Sequence, residues 1–321
     1  MKTDTLYDAI GEVRDDFIQD AEQAGKHVRK RSWLPLIAAC LALVLLAIPV
    51  QAELKNGYVS NLLAPLYGST QTELVDAIGI PLEGSVEVGE YVLTAEAVIG
   101  DRYNIAFVYS LARLDGGMIE EGLYFEDCQS FGLQGGFAGG GWRSHRLSED
   151  GKKLHIIDTW QGSGTLFLNR NAKVTFTNLM KDEGAEDSLI LEGEWSLQFI
   201  VRYEDTGREI PAKDLEVKDE LGISYVIEHI YISPVGLHLD VTAPNLFDGL
   251  VIEEWPYREF SVAVLLRDDT LIEIDDRNFG GRGRGKTFEG GLSAMFDAPI
   301  PLENIKALII CDVTVPVEFD N

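Results

Sequence analysis

One uncharged stretch constrains the organisation of this chain more than any other feature. Residues 33–52 contain no charged side chain. At about 1.5 Å rise per residue, a helix of that length crosses a hydrocarbon core of about 30 Å. Four bases stand just before the stretch, and only Lys55 follows closely. The positive-inside rule therefore predicts a membrane-spanning helix over 33–52 with a cytosolic N-terminus. The residues that set this topology are Lys26, Arg29, Lys30, Arg31 and Trp33.

A cleaved secretory signal peptide is the alternative interpretation of the same stretch. Val50-Gln51-Ala52 has the small-x-small pattern of a cleavage site, and Pro49 stands just before it. The apolar run is longer than the core of a usual signal peptide, and the preceding segment, 1–32, is rich in acids. These two features favour a retained anchor, while cleavage after Ala52 stays open.

The N-terminal 25 residues have the pattern of an amphipathic helix. Leu6, Ile10, Val13 and Phe17 recur at spacings of three and four, which places them on one helical face. Such a helix is marginal alone in water, so the apolar face needs a partner. Acidic residues on the other faces disfavour an anionic membrane surface. We therefore expect 1–32 to be a cytosolic helix with a basic flank that docks another protein.

Acidic residues outnumber basic ones 53 to 27, and nearly all of the excess follows residue 52. A strongly acidic exterior argues against nucleic acid, because binding to phosphate needs basic patches. Three cysteines are too few for a disulfide scaffold. Cys40 lies in the predicted span, and whether Cys128 and Cys311 pair depends on the fold.

Beyond residue 84 the sequence changes to short β-type runs separated by Gly, Asn and Asp. Two series of these runs have the same order, and a glycine-rich segment, predicted to be a loop, occurs later in each. The matching runs are Tyr91–Val98 and Ile105–Leu111 in the first series, and Ser224–Ile232 and Leu237–Val241 in the second. The glycine-rich segments are Gly135–Gly141 and Gly280–Gly285.

The predicted fold class is therefore mainly β, with two tandem β-sandwich (immunoglobulin-like) domains after the N-terminal helix and the membrane helix. The predicted boundaries are 1–32, 33–52, a juxtamembrane segment 53–84, and sandwich domains 85–205 and 206–321. The juxtamembrane segment contains a short helix, for which Thr70 and Glu73 have capping-box spacing and Gly79 is the end.

No motif points clearly to catalysis, a cofactor or a metal. Gly280–Thr287 fits the P-loop pattern, but two glycines soon follow and disfavour the helix that a P-loop needs, so a hairpin loop is the better interpretation. His229 and His238 can be neighbours across a predicted hairpin, yet no histidines have zinc-ligand spacing. We therefore expect a protein that is not an enzyme and that has no cofactor.

Several segments resemble a known family. LYDAIGEVRDDFIQDAE and KHVRKRSWLPLIAACLALVLL resemble the start of many Gram-positive bacterial membrane proteins. YGSTQTELVDAIG and VGEYVLTAEAVIGDRYNIAFVYSLARLDG resemble the extracellular domain of unknown function numbered 4179 (DUF4179). The resemblance covers most of residues 5–205. The β-rich part of the chain beyond these residues is similar in style to a companion β domain.

The resemblance implies an anti-sigma-factor-like protein without enzymatic activity. It implies that the face formed by Leu6, Ile10, Val13 and Phe17 contacts an extracytoplasmic-function sigma factor. We therefore expect a single-pass cell-membrane protein whose extracellular β domains sense or bind an envelope ligand. The alternative is a structural or adhesive envelope protein that binds wall polymer and uses its N-terminus only as an anchor.

Overall fold

The computed structural model describes part of the chain, within which Leu54–Asn321 forms one compact unit. The described residues are 57–68, 72–131, 138–163, 170–182, 187–202, 204–212, 215–244, 260–274, 277–284 and 287–318. The predicted docking helix, the predicted span and all their site residues, from Leu6 to Trp33, lie outside this set. Within it, no helix has the length and apolarity needed to cross a membrane.

The fold is mainly β, as the sequence predicts, and its sheets are antiparallel. Among the described residues, two short helices come first, α1 (Tyr58–Tyr67) and α2 (Thr72–Ile78). The first half then contains β1 (Ile80–Pro81), β2 (Ser85–Val88), β3 (Tyr91–Gly100), β4 (Asn104–Arg113), β5 (Leu123–Phe131), β6 (Ala138–Leu147), β7 (Lys153–Ser163), β8 (Arg170–Asp182) and β9 (Asp187–Val201).

The second half begins after residue 203 and is also built from strands. These are β10 (Arg208–Ile210), β11 (Leu215–Lys218), β12 (Ser224–Ile232), β13 (Gly236–Ala243), β14 (Val262–Leu266), β15 (Leu271–Glu273), β16 (Arg277–Arg284), β17 (Thr287–Met295), β18 (Ile305–Ile310) and β19 (Val313–Pro316). A 3-10 turn, Leu302–Asn304, precedes β18.

The strand pairing of the first half recurs in the second. Sheet A has the order β1/β2-β3-β4-β7-β6, and sheet C has the order β10/β11-β12-β13-β17-β16. In each, two short strands share one side of a long strand. Sheet B is β5-β8-β9, and sheet D is β15-β14-β18-β19. The matching predicted runs therefore occupy matching places, while the immunoglobulin-like assignment and the boundaries 85–205 and 206–321 stay predictions.

Each half has its own core between its two sheets, because inward side chains alternate along the strands. In the first half, Phe107 and Tyr109 of sheet A pack with Phe176 and Trp195 of sheet B. In the second half, Tyr225 of sheet C meets Phe260 edge-on, with ring centroids 4.9 Å apart.

Helix α1 covers the outer face of sheet A. Val59, Leu63 and Tyr67 pack there against Ala97 and Val108, and Val235 of the second half joins the same cluster. Helix α2 is the short helix that the sequence predicts. It ends at Ile78, and Gly79 follows. A Cβ at Gly79 would lie 2.7 Å from Val59 and Leu63, so this position lets the two helices approach closely. Helix α1 itself was not predicted.

The glycine-rich segments were predicted to be loops, and that prediction was wrong. Residues 138–141 belong to β6, and Gly280–Arg284 belongs to β16, which pairs with β17 in a hairpin. A strand follows Thr287, where a P-loop requires a helix, so the hairpin interpretation of that motif is confirmed. Near the end of the described residues, β18 and β19 form a hairpin that turns at Cys311, whose φ is 51°. Among the described residues, Cys128 and Cys311 are not joined by a disulfide.

Candidate functional site

A buried polar cluster joins the two halves of the unit, and we call it the junction. The β3–β4 turn contributes Asp101 and Tyr103, and the β12–β13 turn contributes Ser233. His238 of β13 and Ser293 of β17 complete the junction from the outer face of sheet C. The two turns hold equivalent places in the two halves, so the halves meet through equivalent hairpins.

Asp101 is the central acceptor of the junction. Its side chain is fully buried, and Oδ1 accepts the backbone amides of Tyr103 and Asn104, both at 2.7 Å. Ser233 Oγ donates to Oδ2 at 2.5 Å, and this hydroxyl oxygen accepts the backbone amide of Gly236 at 3.1 Å. Burial raises the pKa of the Asp101 carboxyl, and these hydrogen bonds offset only part of that rise.

His238 is fully buried and contacts a polar group at each ring nitrogen. Nδ1 lies 2.7 Å from Ser293 Oγ. That hydroxyl donates its only proton to the carbonyl oxygen of Gly162 at 2.6 Å, so Nδ1 must donate to it. Nε2 lies 3.1 Å from the Asp240 carboxylate, which accepts. Both nitrogens of His238 are therefore donors, which describes an imidazolium.

Aromatic stacking supports this cation. The Tyr103 ring of the first half lies parallel to the His238 ring, with centroids 3.8 Å apart and planes 4° apart. Burial raises the pKa of Tyr103 to about 12, so the ring that faces the imidazolium is a neutral phenol. A π-face of this kind attracts a cation.

Close backbone packing also fixes the junction. A Cβ added at Gly236 would overlap the carbonyl oxygen of Ala294 and lie 2.7 Å from Asn104 Nδ2. The backbone of Ala294 belongs to β17 and cannot move without disturbing its ladder. Only glycine therefore fits where the first half approaches β13.

Charged residues surround the buried part of the junction. Arg102 pairs with Asp205 and with Glu209 of β10, both at the start of the second half. The Arg102 guanidinium also lies 5.3 Å from the centre of the Tyr231 ring, whose hydroxyl donates to Asp205. Asp205 thus contacts Arg102 of the first half and Tyr231 of the second.

His229 and Asp240 form the second part of this charged rim. His229 pairs with Glu209 and lies 3.4 Å from the Asp240 carboxylate. Burial acts to raise the pKa of Asp240, but the hydrogen bond from His238 and the charges of both histidines outweigh it and hold that pKa below its ordinary value. The ion pair with His238 therefore persists in mild acid.

The junction was only partly visible in the sequence. The neighbourhood of His229 and His238 across the β12–β13 hairpin is confirmed, since their rings lie 6.5 Å apart. Their link to Asp101, Tyr103 and Ser293 was missed. One usable signal was the i, i+2 spacing of His238 and Asp240, which places both on one face of a strand. Among the described residues, no three His, Cys, Asp or Glu side chains are grouped to hold a metal ion.

Comparison with known proteins identifies a shared fold. No protein-family model matches the chain, and no curated protein matches it. The structure is similar to a crystal structure described as the conserved domain protein from Bacillus anthracis. The TM-score is 0.53 and the identity 16%, over 76% of this chain and 79% of that chain. This likeness concerns the fold alone.

Proposed function

We propose that the chain is a single-pass membrane regulatory protein of the anti-sigma-factor-like kind that its DUF4179 resemblance implies. In this proposal residues 1–32 dock a cytosolic partner such as an extracytoplasmic-function sigma factor, and 33–52 cross the membrane. The two halves are tandem β-sandwich (immunoglobulin-like) domains that sense or bind an envelope ligand. The protein transmits binding and performs no catalysis.

The observation that supports this proposal best is the attachment of α1. The helix begins at Tyr58, a few residues after the proposed span ends at Ala52. Its N-cap residue, Gly57, has no side chain to cap the helix, and Asp76 of α2 takes that role. The Asp76 carboxylate accepts the amides of Gly57 and Ser60, both at 2.7 Å. The first described helix after the proposed span is therefore capped by a residue of α2.

Helix α1 also depends on both halves at once. Its buried residues Val59 and Leu63 lie in one apolar cluster with Ala97 of β3 and with Val235 of the β12–β13 turn. Val235 is two residues from Ser233, which holds Asp101 in the junction. A change in the relative orientation of the halves must therefore alter the surface on which α1 packs. This is the arrangement that transmission to a membrane helix needs.

The cytosolic side of the proposal is tested by affinity purification of the tagged full-length protein from membranes. Ile10→Asp and Phe17→Asp place a charge on the proposed docking face, whereas Gln19→Asp adds the same charge on the opposite face as a matched control. We expect a cytosolic regulator to co-purify with the wild type and the control and to be lost from both variants.

An identical set of co-purifying proteins for all four proteins would overturn the docking role. The structural or adhesive alternative would then be favoured if the β-rich part still retained the protein on the cell wall. Reactivity of an introduced Thr5→Cys thiol from the cytosolic side alone checks the proposed topology in the same membranes.

A further inference from the structure

Strand β6 is the outermost strand of sheet A. Within the described residues it pairs with β7 alone, so alternate residues of β6 direct their backbone amides and carbonyls away from the sheet. Such a row of backbone donors and acceptors is a template for another extended segment.

The hydrogen bonds between β6 and β7 show which residues form this row. The amide of Ser148 donates to the carbonyl oxygen of Lys153 at 2.8 Å, so these two residues form a bonded pair. Bonded and non-bonded pairs alternate along an antiparallel ladder, which makes Arg146 the next residue of β6 that is bonded to β7. The backbone groups of His145 and Leu147, which flank Arg146, therefore point outward. We call this part of the strand the β6 edge.

The β6 edge borders a cleft of about 560 Å³ beside the core of the first half. Leu123 of β5 and Leu154 of β7 are core residues that reach this cleft, and Leu147 packs with the same core. His145 also lines the cleft. Paired residues of neighbouring strands share one face of a sheet. Residues of an added strand opposite His145 and Leu147 therefore direct their side chains towards the leucines.

The other face of the β6 edge carries a cation. Arg146 alternates with His145 and Leu147 along the strand, so its side chain lies on the outer face of sheet A. It is exposed, and it forms no ion pair with any other described residue. An acid placed between the two cleft-facing residues of an added strand lies beside this guanidinium.

We propose that the β6 edge binds an extended peptide segment, which adds a strand to sheet A. The segment has the pattern aliphatic–acidic–aliphatic. Its aliphatic side chains enter the cleft over Leu123, Leu147 and Leu154, and its acid pairs with Arg146. The outward backbone groups identify the occupant as a polypeptide, because only an extended peptide chain supplies donors and acceptors at the spacing of a strand. The inference takes its biological meaning from the proposed sensing role and gives that role a ligand class.

Binding is measured by calorimetry on the full-length protein, without a signalling readout. The probe is an acetylated, amidated Thr-Val-Glu-Val-Thr peptide, whose valines take the places opposite His145 and Leu147. Methylation of both valine amides blocks their hydrogen bonds to β6. Methylation of the glutamate amide and the last threonine amide, which point away from β6, is the matched control. We expect the first change to weaken binding about tenfold or more and the second to leave it nearly unchanged.

A peptide with serine in place of both valines tests the aliphatic contacts. Its backbone pairs in the same way, but its side chains bury no apolar surface in the cleft. We expect this peptide to lose detectable binding, because the leucines of the cleft then stay exposed to water.

Variants of β6 locate the binding. His145→Pro removes an outward amide and leaves the hydrogen bonds to β7 in place, an orientation in which an edge strand accepts proline. His145→Ala keeps the amide and is its matched control. We expect binding to be lost with the first variant and retained with the second, and thermal melting checks that both fold. If His145→Pro does not fold, the two methylated peptides decide the same question.

The charge contact has its own pair of variants. Arg146→Gln should weaken binding about two- to fivefold, since an exposed ion pair contributes modestly. Lys152→Gln removes the same charge from an exposed position in the β6–β7 turn and should leave affinity unchanged.

Three outcomes would overturn the proposal. They are no binding of the Thr-Val-Glu-Val-Thr peptide, equal binding of the two methylated peptides, or a dimer of the free protein that His145→Pro dissociates. The last would assign the edge to a second copy of the chain. In each case, a cytosolic partner that still co-purifies with the wild type would leave the signalling role standing. Loss of that partner with intact peptide binding would do the reverse.

Discussion

The hydroxyl of Ser233 donates a 2.5 Å hydrogen bond to the carboxylate of Asp101, across 132 positions of the chain. Both residues lie in turns, β3–β4 and β12–β13, that hold equivalent places in the two halves. A buried hydrogen bond to a charged acceptor is costly to break, because the partner left behind is not solvated. This contact therefore fixes how the two halves meet.

Removal of the Asp101 carboxylate is expected to destabilise the junction strongly. Asp101→Ala leaves the buried amides of Tyr103 and Asn104 without their side-chain acceptor, and the hydroxyl of Ser233 keeps only the carbonyl oxygen of Gly236 at 3.3 Å. We expect a loss of about 3 kcal/mol in the free energy of unfolding, measured by urea titration at pH 7. The control Asp297→Ala removes an exposed carboxylate and should change stability by less than about 0.5 kcal/mol. Equal losses for both variants would contradict this account of the junction.

The protonation of His238 is directly measurable. Nitrogen NMR of the histidine rings should show a proton on each nitrogen of His238, because Ser293 and the Asp240 carboxylate both accept from it. His145 is the internal control, since burial and Arg143 lower its pKa and keep it neutral. Ser293→Ala removes the acceptor at Nδ1 and should broaden or shift that signal alone. A single protonated nitrogen on His238 would refute the conclusion that both of its ring nitrogens donate hydrogen bonds.

Acid should weaken the first half because His155 resists the proton that the unfolded chain takes up. Burial, and secondarily Lys153, lower the pKa of His155 in β7, and its buried Nδ1 has no hydrogen-bond partner among the described residues. The unfolded chain takes up a proton near the ordinary pKa of about 6.5, while the folded chain resists it. Stability is therefore full above that pH and is lost as the pH falls towards the lowered folded value.

His155→Gln tests this dependence, because glutamine cannot take up the proton. Unfolding by urea between pH 7.5 and pH 5.5 should show a shallower decline for the variant than for the wild type. Glu149→Gln, an exposed change in the β6–β7 turn, should keep the slope of the wild type, since it leaves His155 in place. A variant that declines as steeply as the wild type would assign the acid sensitivity elsewhere.

Strands whose residues alternate in polarity could be predicted from the sequence, and glycine-rich strands could not. Tyr91–Val98 and Ser224–Ile232 alternate in polarity and end at turn residues, so β3 and β12 were found, the latter with both ends correct. Strands β6 and β16 have little β propensity, and they form because β7 and β17 supply their hydrogen bonds. Such pairing is a tertiary effect that a local pattern does not contain.

The site was harder to predict than the fold for the same reason. Tyr103 and His238 stack although they belong to different halves, and no periodicity relates positions so far apart. Helix α1 was missed because Pro65 lies inside it and its N-cap is a glycine. Its cap comes from Asp76, a residue of the next helix. Only the assembled structure shows that partner.

The cap on α1 leads to a prediction that links stability with the proposed transmission. Asp76→Ala removes the acceptor of the Gly57 and Ser60 amides, which frees the first turn of α1 at a cost of about 1 kcal/mol. Hydrogen exchange should therefore quicken over Tyr58–Tyr67, with little change in β3 and β4. Glu73→Ala, an exposed change in the first turn of α2, is the matched control and should leave α1 protected. If transmission passes through α1, Asp76→Ala should uncouple ligand binding from the cytosolic response while ligand affinity is retained. Rapid exchange in α1 with a normal response would show that the signal takes another route.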